Sequence, residues 1–224
     1  MILIADDLMT EDELRFLRGL YAELPVQQGA DTAEGDLKQV KNNRQLLPGG
    51  RGKEIRARIM EALNRKEYLS FALQPKVVSA PLLNVYGPGE TYGDHTDAHL
   101  GWSNDRFFRC DISCTIFLDD PDSYDGGELC IRSDHGDARF KLAAGSAIFY
   151  PTYFVHRVQP VTRGERRACI LWMESLVRDA QKRWLLFELQ KVRSWIEERE
   201  PVASLPRQSL VNVCENLHRM WVDP

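Results

Sequence analysis

Five histidines occur in the 224 residues, and one of them, His95, stands two positions before an aspartate, Asp97. On an extended strand residues i and i+2 share a face, so the imidazole and the carboxylate can reach a common point. Gly87, Pro88, Gly89 and Gly93 lead into the pair, as suits a strand that enters a site through a tight turn. Two ligands are too few for tight metal binding, and the H-x-D spacing alone is common. A third candidate, His156, follows Phe149-Tyr150-Pro151 on a later apolar strand. Taken alone it reads as a partly buried side chain. Together, two histidines and one carboxylate form the facial set that suits ferrous iron and leaves positions open for a co-substrate and O2.

Ten residues past His156, beyond the turn Thr162-Arg163-Gly164-Glu165, stands Arg166. The hairpin puts a guanidinium near the metal but off it, where it can pair with a carboxylate through two parallel hydrogen bonds. An iron enzyme that oxidises 2-oxoglutarate needs this arrangement. The 1-carboxylate and 2-keto oxygen take two metal positions, and the far carboxylate requires a permanently charged partner. Arg167 is the rival. Strand alternation sets it on the opposite face from Arg166, Ala168 and Ile170, so one of the two points inward, and the spacing favours Arg166.

Other residues have plainer readings. His99, four after His95, would suit a zinc pair on a helix, but the Gly/Pro-rich approach opposes a helix and no H-E-x-x-H occurs. Asp94, Trp102, Asn104 and Arg106 flank the motif where a substrate or lid loop could form, and they read equally well as surface. Phe149 and Trp172 read as core, and Asp119, Asp120, Asp122 and Asp125 as a solvated acidic loop.

The assembled pattern is Tyr86…His95-Thr96-Asp97…Gly126-Gly127-Glu128-Leu129…Phe149-Tyr150-Pro151…His156-Arg157-Val158…Gly164-Glu165-Arg166-Arg167. It resembles the prolyl-4-hydroxylase-like Fe(II)/2-oxoglutarate dioxygenases and, more narrowly, the bacterial PKHD-type hydroxylases. The resemblance runs end to end and is densest over residues 84–174. It implies a mainly β fold with flanking helices: a double-stranded β-helix (jelly-roll) core, N-terminal helices and a small C-terminal helical region. Iron falls to His95, Asp97 and His156, and the distal carboxylate of 2-oxoglutarate to Arg166. The wider prolyl hydroxylases carry Lys at that last position. Tyr86 matches a tyrosine whose hydroxyl reaches the co-substrate, and Thr115 is a weaker candidate for the same task. The implied reaction hydroxylates an unidentified substrate with O2 and releases succinate and CO2. Ascorbate is the implied reductant, and iron homeostasis the implied setting.

The elements that must position these residues can be read from periodicity. Thr10 and Glu13 form a capping-box pattern ahead of Leu14, Leu17, Tyr21 and Leu24, and Pro25 ends that helix. Residues 27–50 are polar and Gly-rich and read as a loop, and a second helix is expected over 53–66. Seven β-rich runs follow at 80–86, 111–118, 128–132, 138–142, 147–150, 155–161 and 167–174, with turns at Asp125-Gly126-Gly127 and His135-Gly136-Asp137. Leu185, Leu189, Val192 and Ile196 form a helical stripe; Pro201 and Pro206 break it before a second, Leu210, Val213, Leu217 and Trp221. The implied division is 1–75 as a helical support region, 76–177 as the dioxygenase core and 178–224 as the helical tail. Trp184 and Trp195 in that tail pack against the core or against a second copy in a homo-oligomer.

Composition narrows the partners. Lys and Arg number 29 against 33 Asp and Glu, for a formal charge of −4, and no basic run or aromatic groove marks a nucleic-acid binder. The longest stretch without a charged side chain, 142–156, is broken by Gly145 and Pro151 and is too short for a membrane span. No export signal opens the chain. Five cysteines without a C-x-x-C pair suit a reducing cytoplasm. The expected partner is therefore a small molecule or a peptide. Two alternatives share the metal ligands: a cupin-like iron or oxygen sensor without turnover, and an AlkB-like nucleic-acid demethylase. A sensor has little reason to place Arg166 beside its metal, and the acidic balance opposes the demethylase.

Overall fold

The computed structural model describes residues 2–103, 105–133 and 136–223. Most of its strands form two antiparallel sheets that together enclose a cavity, the jelly roll anticipated above, and two short two-stranded ribbons complete it. The larger sheet runs in the order Leu3–Ala5, Ala147–Pro151, Ile112–Phe117, Arg166–Ser175, Leu82–Tyr86, Arg44–Leu46 and Val26–Gln28, with Pro75–Val78 also paired to Arg166–Ser175. The smaller runs Gly136–Phe140, Leu129–Ser133, His156–Val158, Thr91–His95 and Lys41–Asn42.

The strand Ile112–Phe117 serves two layers because successive side chains alternate in direction. Ile112, Cys114 and Ile116 face the helices Glu11–Glu23, Gly52–Arg65 and Glu67–Leu73, sharing a core with Leu14, Leu17, Ile55, Ile59 and Phe149. Thr115, by contrast, turns to the space between the sheets. The neighbouring strand Arg166–Ser175 behaves alike: Cys169, Leu171 and Met173 join the helical core, while Arg166, Ile170 and Trp172 line the interior. Trp172, expected in the core, is thus a cavity wall; Phe149 is core. The anticipated cap is formed: Glu13 N–H donates to Thr10 Oγ1 at 3.3 Å, and Thr10 N–H to Glu13 Oε2 at 2.8 Å.

Several local expectations are corrected. Residues 27–50 are no simple loop, for Arg44–Leu46 pairs with Leu82–Tyr86 and Lys41–Asn42 with Thr91–His95. Backbone pairing needs no apolar side chain, and a polar strand is stable where its inward residues line a polar space. The run 155–161 splits into His156–Val158 and Val161–Arg163, as Pro160 has no N–H to continue a ladder. Asp125–Gly126, expected as a turn, pairs with Val161–Arg163. Leu129–Ser133 and Gly136–Phe140 form the expected hairpin, although His135 of its turn lies outside the described residues. The tail forms two helices, Ala180–Glu197 and Leu205–Trp221, whose stripes turn toward each other around a shallow groove. Trp184 and Trp195 remain 39% and 57% exposed. No helix among the described residues is long and apolar enough to cross a membrane. All five cysteines are free and buried.

Asp119, read as a solvated loop residue, is buried. Arg167 N–H donates to its Oδ2 at 2.7 Å and the Arg167 guanidinium clasps both oxygens, with Nε at 3.0 and 3.1 Å. Arg167 therefore serves the fold on the side away from the cavity. Replacing it leaves a buried carboxylate with reduced compensation, so Arg167→Ala should lower stability by about 2–3 kcal/mol. Urea denaturation measures this; a loss under about 0.5 kcal/mol would put the pair among ordinary solvated ion pairs.

Candidate metal centre

Thr91–His95 and His156–Val158 are paired with His95 opposite His156, so residues far apart in sequence meet on one sheet. Asp97, two positions past His95, completes a cluster whose ligand atoms all lie within 4.8 Å of one another. His95 Nε2 is 3.8 Å from Asp97 Oδ1, and His156 Nε2 is 3.7 Å from Asp97 Oδ2. Each imidazole uses its other nitrogen on main chain: His95 Nδ1 donates to Gly93 O at 2.8 Å and His156 Nδ1 to Phe154 O at 3.0 Å. With Nδ1 as the donor, Nε2 carries the free lone pair, and the network assigns that tautomer to both rings. Ser113 Oγ donates to Asp97 Oδ2 at 2.6 Å and holds the carboxylate in place. Tyr92 stacks on the His95 ring at 3.6 Å, and Tyr150 meets His156 edge-on at 5.1 Å.

Burial, and then the neighbouring His156, push the His95 pKa down to about 4. Both causes favour the neutral imidazole, which is the form that binds a metal. Two neutral nitrogens and one carboxylate oxygen aimed at a single point make a donor set suited to ferrous iron.

The cluster borders a cavity of about 570 Å³ between the sheets. Arg166 enters it from the larger sheet, 1% exposed, and none of its three guanidinium nitrogens has a hydrogen-bond partner among the described residues. The Tyr86 and Phe117 rings lie 5.2 and 5.5 Å from its guanidinium carbon. Gly127 makes room for it: at φ +68° it bears no side chain, where a Cβ would come within 3.0 Å of Arg166 Cδ. A buried guanidinium lacking acceptors is costly unless an anion reaches it. The residues present therefore fit a bound carboxylate. Tyr86 sits opposite Arg166 in strand register, and burial raises its hydroxyl to about 12, which keeps it a neutral donor.

The fold thus brings His95, Asp97, His156, Arg166, Tyr86 and Thr115 to one cavity. Trp102 and Arg106 do not line it. They lie on the hairpin of Leu100–Ser103 and Arg106–Arg109 at the rim, where Trp102 is 57% exposed and meets Phe107 edge-on at 4.7 Å. Asn104 lies outside the described residues. Sequence reading missed Ser113, Tyr92, Trp172 and Lys41. Ser113 was within reach of strand alternation, since it shares a face with Thr115; Tyr92 was not, because it stands three positions before His95 and meets that ring across an irregularity in the pairing. Trp172 shares the face of Arg166. Lys41 gave no signal, because it lies in the segment read as loop.

A family model described as the 2OG-Fe(II) oxygenase superfamily matches residues 81–174. A PKHD-type hydroxylase of Verminephrobacter eiseniae is 42% identical over 228 residues, with all of both chains covered. One of Synechococcus sp. (strain JA-2-3B'a(2-13)) is 40% identical, again over all of both chains. In structure, a Pseudomonas putida prolyl-4-hydroxylase superposes with a TM-score of 0.51 at 19% identity, covering 78% of this chain and 92% of that one, which shows a shared fold.

The depressed His95 pKa has a measurable consequence in the metal-free protein. In the unfolded chain a histidine protonates near its ordinary value of about 6.5, whereas folded His95 resists protonation until about pH 4. Acid then favours the unfolded chain, so this contribution to stability is complete above pH ~6.5 and is lost as pH falls toward 4. Urea midpoints across that range should fall more steeply for the native sequence than for His95→Gln. Equal slopes would count against burial as the cause.

Proposed function

From the premise that this chain belongs to the 2OG-Fe(II) oxygenase superfamily and, within it, to the PKHD-type hydroxylases, we propose how its own residues divide the work. It is an Fe(II)- and 2-oxoglutarate-dependent dioxygenase that hydroxylates a second substrate. In our reading His95, Asp97 and His156 hold the ferrous ion, and Arg166 takes the distal carboxylate of 2-oxoglutarate. Tyr86 and Thr115 flank the co-substrate. The observation that carries this reading is the buried, unpartnered Arg166 guanidinium in the same cavity as the His–Asp–His cluster.

Bound ferrous iron supplies activation of O2 and oxidative decarboxylation of 2-oxoglutarate to succinate and CO2, coupled to hydroxylation of an unactivated C–H bond. The protein's part is geometry and exclusion of water. The carbonyls of Gly93 and Phe154 fix the two imidazoles, and Ser113 fixes Asp97. Arg166 sets which end of the co-substrate faces the metal. Phe117, Tyr150 and Leu129 keep the inner end of the cavity dry.

The finer assignments follow. The catalytic unit spans 76–177, with 1–75 supporting it and 178–224 forming a helical appendage. Ascorbate returns iron oxidised by uncoupled turnover to the ferrous state. The substrate is a small molecule or a peptide, met in the cytoplasm; the net charge of −4 disfavours nucleic acid.

Under argon, Fe(II) and 2-oxoglutarate should give the weak visible band of a 2-keto acid chelated to ferrous iron. Admitting O2 without substrate should yield slow formation of succinate, prolonged by ascorbate. His156→Ala should lose iron and band together. Arg166→Ala should keep iron but bind 2-oxoglutarate about 10- to 100-fold more weakly, as expected for a lost charge-assisted contact. Iron retained in His156→Ala, or unchanged co-substrate affinity in Arg166→Ala, would overturn these assignments.

A further inference from the structure

Lys41 is a charged residue in the wall of the cavity that the chemistry above leaves unused. It is 9% exposed, on the short strand Lys41–Asn42 that pairs with Thr91–His95, directly opposite Tyr92. The seat is close-fitting. A Cβ on Gly93 would come within 2.9 Å of Val40 Cβ, so glycine at 93 lets this segment lie against the metal-bearing strand. Lys41 Nζ donates one hydrogen bond, to Thr32 Oγ1 at 2.8 Å, and lies 5.3 Å from the centre of the Tyr92 ring, which in turn stacks on His95. No carboxylate among the described residues lies within 4.0 Å of it. An ammonium has three donors, so two of those on Lys41 await an acceptor.

We infer that Lys41 is a specificity-determining residue, which receives an anionic group of the substrate and positions the substrate against the iron. The inference rests on the reading of the cavity as the reaction chamber. Charge balance supports it. Ferrous iron and Arg166 together match Asp97 and the two carboxylates of 2-oxoglutarate, so in the loaded cavity Lys41 is the cation left over. Glu34, the other carboxylate along the lining, is exposed at the rim and solvated. The spare hydrogen-bonding capacity leans the same way. Trp172 Nε1 is buried without an acceptor in the same cavity, against a single unpartnered Asn84 oxygen. Burial pushes the Lys41 ammonium below its ordinary pKa, with Asp97 opposing, as expected of a cation lacking a close counter-ion.

The test uses the full chain with Fe(II) and 2-oxoglutarate under argon, the visible band being read first. Thermal unfolding is then followed with benzoate and N-acetylglycine, the second standing for a peptide C-terminus, and with the neutral amide of each. Native protein should prefer at least one acid over its amide, and the acid preferred tells a small aromatic acid from a peptide end. Lys41→Met should weaken the preferred acid about 10- to 100-fold and leave its amide and the band unchanged. Lys41→Glu should instead favour benzylamine. Without ligands, Lys41→Met should be at least as stable as the native chain, because it removes a buried ammonium that has a single hydrogen-bond partner and no close carboxylate, while a thioether can still pack on the Tyr92 ring. A Lys41→Met protein markedly less stable than native would make Lys41 structural and overturn the inference. So would native protein that does not distinguish acids from amides. A native band that never forms would count against the proposed function itself.

Discussion

The pairing of His95 with His156 across two antiparallel strands is the constraint from which the rest of this structure follows. Two imidazoles with ring centres 4.2 Å apart beside a carboxylate hold that geometry only if neither ring turns. Main-chain carbonyls fix the orientation of both rings, burial favours the neutral form of His95, and Ser113 engages one carboxylate oxygen. The helices make this affordable. By covering the outer face of the larger sheet they concentrate the apolar core there, and the inner face is left free for Ser113, Thr115, Asn84 and Arg166.

A buried donor or acceptor without a partner destabilises a fold, and native chains keep such groups few. Here most gather in one region. Arg166, Trp172 and Asn84 border the cavity, and Asn43 and Gln45 lie in the segment beside it. The cluster marks the place where the chain departs from its own rules of packing, as expected at a site completed by something other than protein.

Much of this could be read from the residues. H-x-D on a strand, a distant histidine and an arginine ten positions later mark residues that the fold brings to one cavity, and alternation alone sets Arg166 and Arg167 on opposite faces. The capping box at Thr10 and the tail stripes were legible because each rests on local periodicity. What escaped has a common cause. Lys41–Asn42 and Arg44–Leu46 are held by main-chain bonds to other strands, and Asp119 is buried because Arg167 arrives from 48 residues away. Pairing of this kind leaves no pattern in the segment itself. Trp172 was misread for a related reason: an aromatic on a central strand suits a core or a cavity wall equally, and only the position of the helices decides.

Lys41–Asn42 bonds to the smaller sheet and Arg44–Leu46 to the larger, with Asn43 fully buried between them. This short stretch therefore stitches the two sheets together at the mouth of the cavity, while His95, Asp97, His156 and Arg166 all lie outside it. Under the function proposed here, the metal cluster and the cavity wall proposed to meet the substrate are thus carried by different parts of the chain. In evolutionary terms they can be inherited separately. Under that proposal, residues along the stitch can be exchanged without touching the His–Asp–His cluster or Arg166.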